Sequence, residues 1–235
     1  MNAINMDDWL ELTKGAFLEK WYLTFYESCS YGGINQVFQN FSHRSLERNI
    51  QGHFKSVLEL GAGSGQHRKF VEHSYDIYWE TDIQMDDSID DQAPTNLTTS
   101  KIIRMSLNAE EISVVDNYFD RALHMCLLHH LYDPEKALLE MRRVVRNGGL
   151  ISLYLPKDPL FWFRAAKRIS NLRHTNEYKQ LKKLADARDH IGNYFGIETL
   201  ILHTFRKDKV KICKPPFGRM APSLWTIFQI EVVKK

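Results

Sequence analysis

The stretch of sequence that decides the fold is Ser56-Val57-Leu58-Glu59-Leu60-Gly61-Ala62-Gly63-Ser64-Gly65. Its first five residues form a short β-rich run, which predicts a strand. The glycines that follow let the backbone approach a ligand closely. A helix is expected from His67 to His73, and its N-terminus would offer free amides to that ligand. Strand, loop and helix in this order predict the first βα unit of a parallel sheet.

Strand and helix patterns alternate along the rest of the chain. The further predicted strands are 76–81, 101–105, 120–125, 150–155, 209–213 and 224–233. The predicted helices are 37–48, 134–145 and 193–205, with Asn147-Gly148-Gly149 as the stop signal of the second. A short loop joins the last two strands, which favours an antiparallel pair. The sequence therefore predicts an α/β, Rossmann-like fold: a mostly parallel seven-stranded sheet with an antiparallel terminal hairpin.

Length and composition fit one globular domain. The chain has 235 residues, of which 43% are hydrophobic and 26% charged. We expect a helical lid segment over residues 1–50 and a main domain over 51–235, with a substrate-side insertion at about 157–192. No apolar run approaches the roughly 20 residues that span a bilayer, and the N-terminus lacks a signal-peptide layout. A cytoplasmic protein without a transmembrane segment is therefore expected.

The cysteine content and the charge limit which ligands and partners are expected. The three cysteines are far apart and form no CxxC pair, so neither a disulfide framework nor a metal site is expected. The formal net charge of +2 does not favour nucleic acid as a partner. Cations are concentrated in residues 164–188, where eight lysines and arginines face two acids. This run is either a solvated helix face or a surface that attracts an anionic substrate or a membrane.

The glycine loop resembles the first motif of class I methyltransferases, (D/E)xGxGxG. Glu59 stands two residues before the first glycine, and Gln66 replaces the third glycine of a dinucleotide fingerprint. The resemblance implies S-adenosylmethionine as cofactor, with Glu59 supporting the loop and the methionine amino group. It also implies that Asp82, 17 positions after Gly65, binds both ribose hydroxyls. The candidate cofactor residues of this region are Glu59, Gly61, Gly63, Gly65 and Asp82.

Further motifs extend the resemblance over residues 55–157. Asn108 occupies the position near adenine where the family often has Asp, so adenine recognition is expected to be weaker or rearranged. The stretch from Phe119 to Leu131 resembles the fourth-strand region of the family, and Met125 is a further candidate cofactor contact. Arg142 to Gly149 resembles the family's "RvLkpGG" turn.

Substrate residues should lie beyond the carboxyl ends of the strands. His129 and His130 follow the fourth predicted strand as a candidate base and a candidate substrate contact. A second candidate is Ala187-Arg188-Asp189-His190-Ile191-Gly192-Asn193, which resembles a segment of methyltransferases from bacterial surface-glycan gene clusters. There His190 would be the base, with Arg188 or Asn193 binding substrate, and Tyr31 would contact substrate from the lid. The alternative is structural, with the histidines shaping a loop and Asp189 or Asn193 capping a helix.

These features indicate an enzyme that methylates O or N of a small polar, anionic molecule, such as a sugar nucleotide, a glycan precursor or a phosphorylated metabolite. The rival hypothesis is a catalytically inactive, cofactor-binding protein with the same fold. A nicotinamide-dependent reductase is disfavoured by Gln66 and by the terminal hairpin. The sequence leaves open the acceptor atom, the oligomeric state and whether residues 159–184 form a lid or an interfacial helix.

Overall fold

The structure is a computed structural model that describes residues 34–83, 85, 88–90, 100–156, 194–214 and 225–234. The chain divides into two units, Ser42–Asp158 with Asn193–Lys235, and Met1–Phe41 with Pro159–Gly192. The first of these units contains the sheet. The predicted lid segment and insertion lie largely outside the described residues and stay predictions.

One sheet organises the described part of the chain. Its strands are β1 His53–Leu60, β2 Ser74–Asp82, β3 Ser88–Asp90, β4 Lys101–Ser106, β5 Phe119–Met125, β6 Val145–Pro156, β7 Lys209–Cys213 and β8 Trp225–Glu231. The helices are α1 Ile34–Glu47, α2 Pro134–Val144 and α3 Tyr194–Thr204. The strand order is β3-β4-β2-β1-β5-β6-β8-β7.

The strand directions confirm the predicted fold class. Strands β4, β2, β1, β5 and β6 are parallel to one another, whereas β8 is antiparallel to both β6 and β7. All seven predicted strands are present. The structure adds an eighth, the three-residue β3, which pairs antiparallel with β4 at the edge of the sheet.

The two faces of the sheet are covered by different helices. Helices α2 and α3 bury the larger apolar cluster, in which Leu138 and Ile201 pack with strand residues such as Leu58 and Ile151. Leu46 of α1 belongs to a smaller cluster on the other face. Its strand members are Val57, Tyr78, Leu123, Tyr154, Trp225 and Ile227. Within the part of the chain that the structure describes, the apolar cluster on the α1 face is the smaller of the two.

The predicted helix from His67 to His73 is wrong: this stretch contains a three-residue 3-10 helix, Arg68–Phe70. The physical reason is length. Residues 66–73 must return from the carboxyl edge of the sheet to its amino edge, past strands of eight or nine residues. Eight residues rise about 12 Å as an α-helix but about 26 Å as extended chain. The connection is too short to include the helix.

Asn147-Gly148-Gly149 was predicted to stop a helix, but it lies within β6. Helix α2 already ends at Val144, where the Val145 amide donates to the Met141 carbonyl. Gly148 has a φ of 72°. A Cβ on Gly149 would lie 2.8 Å from the Asp120 carbonyl oxygen. The glycines therefore serve the close passage of β6 past β5, where the register shifts between Phe119 and Arg121.

The N-terminus of α2 provides a test of the fold. The Asp133 carboxylate accepts a hydrogen bond of 3.0 Å from the Lys136 amide, and Pro134 opens the helix. Asp133→Ala should lower the free energy of unfolding by about 1 kcal/mol, since it leaves that amide without its cap. Chemical denaturation measures the change. Lys136→Ala is the control, because it keeps the capped amide, and an equal loss in both variants would contradict the capping role.

Candidate cofactor and active site

The carboxyl ends of four parallel strands bring the predicted cofactor residues to one edge. Glu59 in β1 lies directly between Glu80 of β2 and Leu123 of β5 in register. Asp82 ends β2 opposite Ser106, the last residue of β4. Parallel α/β sheets bind ligands at this edge. The glycine loop, Asp82, Asn108 and Met125 all follow or end strands here, although the loop leads into a three-residue 3-10 helix and not into an α-helix.

The entry of the glycine loop is held by the end of β2. The Ala62 amide donates to the Thr81 carbonyl at 2.9 Å. The Gly63 amide donates to Oδ2 of Asp82 at 3.0 Å. The Thr81 hydroxyl in turn donates to the Glu59 carbonyl at 2.8 Å. Asp82 therefore fixes the shape of the loop in addition to its predicted role toward a ribose.

The glycines of the loop differ in what surrounds them. A Cβ on Gly61 would lie 2.9 Å from Cδ1 of Leu127, and one on Gly65 would lie 2.9 Å from both carboxylate oxygens of Glu80. Their φ angles of 69° and 73° also strain any other residue, so a side chain at either position would be unfavourable and would displace these neighbours. Gly63 has a φ of 52° and open space where a Cβ would be. Its exposed backbone, beside the Asp82 carboxylate, fits the close approach of a nucleoside.

Glu59 is a buried acid whose pKa is raised to near neutral pH. Its side chain is 2% exposed, and the Tyr78 hydroxyl donates to Oε2 at 2.7 Å. Burial raises the pKa of Glu59 to about 7. The facing acid, Glu80, is also buried, but Nε of Arg68 and Nε of Arg104 each donate to it at 2.7 Å. Two arginines therefore neutralise Glu80, whereas Glu59 is bound by a neutral hydroxyl.

Asp82 and Asn108 both use side-chain oxygens within the protein. Oδ1 of Asp82 accepts from the Ile83 amide at 2.7 Å. Each of its two oxygens thus has one protein donor and a further lone pair for a ligand hydroxyl. The exposed Asn108 accepts at Oδ1 from the Glu110 amide at 2.9 Å, which closes a local turn. The adenine role of Asn108 stays a prediction.

The chain reverses sharply at the end of β5. Met125 is half-buried, and Cys126 has a φ of 59°, which is strained for a residue other than glycine. A 3-10 helix, Leu128–His130, follows. Nε2 of His129 lies 3.8 Å from Sγ of Cys126, and the His129 and His130 rings are 4.1 Å apart between centroids. Both histidines are half-buried at the carboxyl edge.

The other predicted substrate-side residues are Tyr31, Arg188, His190 and Asn193, and they lie outside the described residues. Within the described ranges, no group of three or more His, Cys, Asp or Glu residues is arranged to hold a metal ion. None of the helices described there is long and apolar enough to cross a membrane.

Comparison with known proteins finds similarity to methyltransferases. Residues 58–153 match the methyltransferase domain family. The ubiquinone/menaquinone biosynthesis C-methyltransferase UbiE of Paraburkholderia phytofirmans is 31% identical over 137 residues, which are 55% of this chain and 54% of that protein. Together with the glycine motif, this match supports an S-adenosylmethionine-dependent methyltransferase domain over residues 58–153. The chain spans about half the length of this curated relative.

Solved structures share the fold of this chain. A putative S-adenosylmethionine-dependent methyltransferase of Methanococcus maripaludis has a TM-score of 0.56 and 13% identity, covering 94% of this chain and 96% of that one. A chain from the complex between the Haloferax volcanii Trm112 activator and a putative methyltransferase has a TM-score of 0.56 and 12% identity, covering 93% and 98%. The cofactor is S-adenosylmethionine, in agreement with the glycine motif.

Several residues that shape the glycine loop were not predicted from the sequence. The Tyr78 hydroxyl bonds to Glu59, and the side chains of Glu80 and Leu127 occupy the space beside Gly65 and Gly61. Glu110 ties the turn after β4 to the start of α2, because its Oε1 accepts from the amides of Tyr132 and Asp133. One sequence pattern could have indicated two of them: Tyr78 and Glu80 are spaced by two residues from each other and from Asp82, so all three share a face of β2.

Asp82 should contribute directly to cofactor affinity. Asp82→Ala removes both ribose acceptors and the Gly63 anchor, so the affinity for S-adenosylhomocysteine should fall about 10- to 100-fold. Asp82→Asn keeps one carbonyl acceptor and should lose less. Isothermal titration calorimetry measures both. Asp76→Ala, at the amino end of the same strand, is the control, and unchanged affinity in Asp82→Ala would mean that the ribose binds elsewhere.

Glu59 should make stability depend on pH. Because the pKa of Glu59 is raised to about 7 from its ordinary 4.5, the folded state binds the proton more tightly than the unfolded state. Its stabilising contribution is complete below pH 4.5 and is lost as pH rises through 7. Between pH 5 and 8, wild type should lose roughly 3 kcal/mol of unfolding free energy relative to Glu59→Gln. Denaturation across this range is the measurement, and a difference that does not vary with pH would refute the shifted pKa.

Proposed function

We propose that the chain transfers the methyl group of S-adenosylmethionine to an oxygen or nitrogen atom of a small polar, anionic substrate. Binding of this cofactor is supported mainly by the hydrogen bond from the Gly63 amide to Asp82. The bond lies at the carboxyl edge of the sheet, where Glu59 also lies. Methylation itself is supported by the match of residues 58–153 to the methyltransferase domain family.

The chemistry needs little from the protein beyond alignment. In methyl transfer the bond from carbon to the sulfonium sulfur breaks as the bond to the acceptor forms, and S-adenosylhomocysteine leaves as a neutral thioether. The protein must hold the acceptor in line and exclude water. A hydroxyl acceptor also loses a proton, for which a nearby base is useful, whereas an amine must be held unprotonated.

Two histidines are candidate bases. His129 is supported by its half-buried position at the carboxyl edge, in a turn shaped by Cys126 and followed by amides bound to Glu110. His190, with Asp189 to orient it, is supported by the sequence segment in which it lies. His130, Tyr31, Arg188 and Asn193 are the proposed substrate contacts.

The anionic character of the substrate rests on the basic run at 164–188. A sugar nucleotide, a glycan precursor or a phosphorylated metabolite would suit this charge, and surface-polysaccharide biosynthesis is the corresponding pathway. A cytoplasmic location, expected from the sequence, is part of the same proposal.

Methylation of carbon is a second candidate. The relative from Paraburkholderia phytofirmans is by its name a C-methyltransferase of ubiquinone and menaquinone biosynthesis. A ring carbon activated by neighbouring hydroxyls would be an apolar acceptor and would not need the basic run. The third alternative is a protein that binds the cofactor without catalysis.

The test begins with calorimetric titration of S-adenosylhomocysteine, with NADH as a control ligand. Methyl transfer from radiolabelled S-adenosylmethionine is then assayed on sugar nucleotides, phosphorylated amines and a demethylated quinol. Product from the first two classes supports the proposal, and product from the quinol alone supports carbon methylation. Binding without transfer to any acceptor favours the non-catalytic alternative.

The base is identified with His190→Ala and His129→Ala. The variant that removes the base should lose about 10²- to 10⁴-fold in turnover with unchanged affinity for S-adenosylhomocysteine. The other variant serves as its control. Near-normal turnover in both would assign the two histidines to structure and leave alignment as the protein's main contribution.

A further inference from the structure

The exit of the glycine loop lacks the helix that would hold it, so another support is needed. His67, two residues after Gly65, is 1% exposed, and its Nε2 donates to Oε1 of Glu47 at 2.8 Å. Arg121 donates to the same carboxylate at 2.6 and 2.8 Å. We call Glu47, His67 and Arg121 the anchor cluster. It joins the loop exit to the last turn of α1 and to β5.

Arg121 holds the far end of the same connection. One of its terminal nitrogens donates to Nε2 of His73 at 2.5 Å. Burial, and then the positive charge of Arg121, lower the pKa of His73 to about 4, so the ring is neutral and can accept this bond. The connection from the loop to β2 is thereby fixed at both ends, His67 and His73, by one ion pair.

Side-chain contacts replace helical hydrogen bonds in this connection. Within 66–73 the backbone bonds are those of a single short turn, from the amides of Phe70 and Val71. The Phe70 ring stacks on His43 of α1, with centroids 5.1 Å apart. His43 also contacts His67, Nδ1 to Nδ1, at 2.8 Å. The path of the chain below the loop therefore follows the surface of α1.

We propose that Glu47 and His67 are positioning residues for the cofactor, which set the conformation of the glycine loop from its exit as Asp82 sets it from its entry. Neither residue belongs to the glycine motif, and Glu47 lies on a helix that precedes β1. A ligand-binding loop keeps its geometry only when supporting contacts fix it. The proposal rests on the proposed binding of S-adenosylmethionine at this loop.

Two pairs of variants test the proposal in the full chain. His67→Leu removes the donor to Glu47, whereas His67→Gln keeps an amide donor at about the position of Nε2. The affinity for S-adenosylhomocysteine should fall about tenfold in His67→Leu, as expected for one lost charge-assisted bond, and should be largely restored in His67→Gln.

The second test variant is Glu47→Gln, and its control is Asp208→Asn. Asp208 is also a buried acid bound by an arginine, Arg142, through two nitrogens at 2.8 and 3.2 Å, and it precedes β7 near the amino edge of the parallel strands. Both variants break a buried ion pair and should lower the melting temperature. Only Glu47→Gln should weaken the binding of S-adenosylhomocysteine, and equal weakening in both would reduce the effect to general stability.

Amide hydrogen exchange of the ligand-free protein separates this proposal from the proposed function. Residues 61–67 should exchange at least about tenfold faster in His67→Leu and Glu47→Gln than in wild type or Asp208→Asn. This result stands even if wild type fails to bind S-adenosylhomocysteine, which would overturn the proposed function alone. Unchanged exchange in the loop, with affinities within about twofold of wild type, overturns the positioning role.

Discussion

The ion pair between Arg121 and Glu47 is the interaction on which the described part of this protein depends. Both side chains are almost wholly buried, at 0% and 3% exposure. Burial of two charges is costly unless their remaining donors and acceptors are also bonded. Here Ser152, His67 and His73 complete the set. Although burial opposes ionisation, the Arg121 charge lowers the pKa of Glu47 well below its usual range.

The ion pair between Arg121 and Glu47 supports the connection from β1 to β2, which is too short to contain an α-helix. Because residues 66–73 are too few to contain a helix, one face of β1, β2 and β4 has no helix from this connection to pack against. That face carries polar residues instead: Glu59 and Tyr78 bond to each other, and Glu80 bonds to Arg68 and Arg104. Because the pKa of Glu59 is raised to about 7, this carboxyl is mostly protonated below neutral pH and does not place an unpaired charge in the interior. A polar network thus stands where an apolar helix face would otherwise pack.

Cofactor geometry and acceptor choice are separated along the chain. The match to the methyltransferase domain family covers residues 58–153, which include the glycine loop, Asp82 and the turn at His129. Tyr31, Arg188 and His190, which are proposed to act on the substrate, lie before or after that range. The family match therefore supports the methyl donor and leaves the acceptor open. This division is expected where a common cofactor serves many substrates on one fold.

The sequence by itself predicted the positions of the strands and the cofactor class, because both depend on local patterns. The run before Gly61 and the spacing from Gly65 to Asp82 are readable without a structure. The tertiary structure decided what holds the loop. Arg121 meets Glu47 across 74 positions of sequence, and Tyr78 meets Glu59 across 19. Such pairs arise from strand register and helix packing, so no local pattern could have assigned them. The absence of a helix at 66–73 needed both kinds of information. The sequence gives the length of this segment, but that length excludes a helix only once β1 and β2 are known to be parallel.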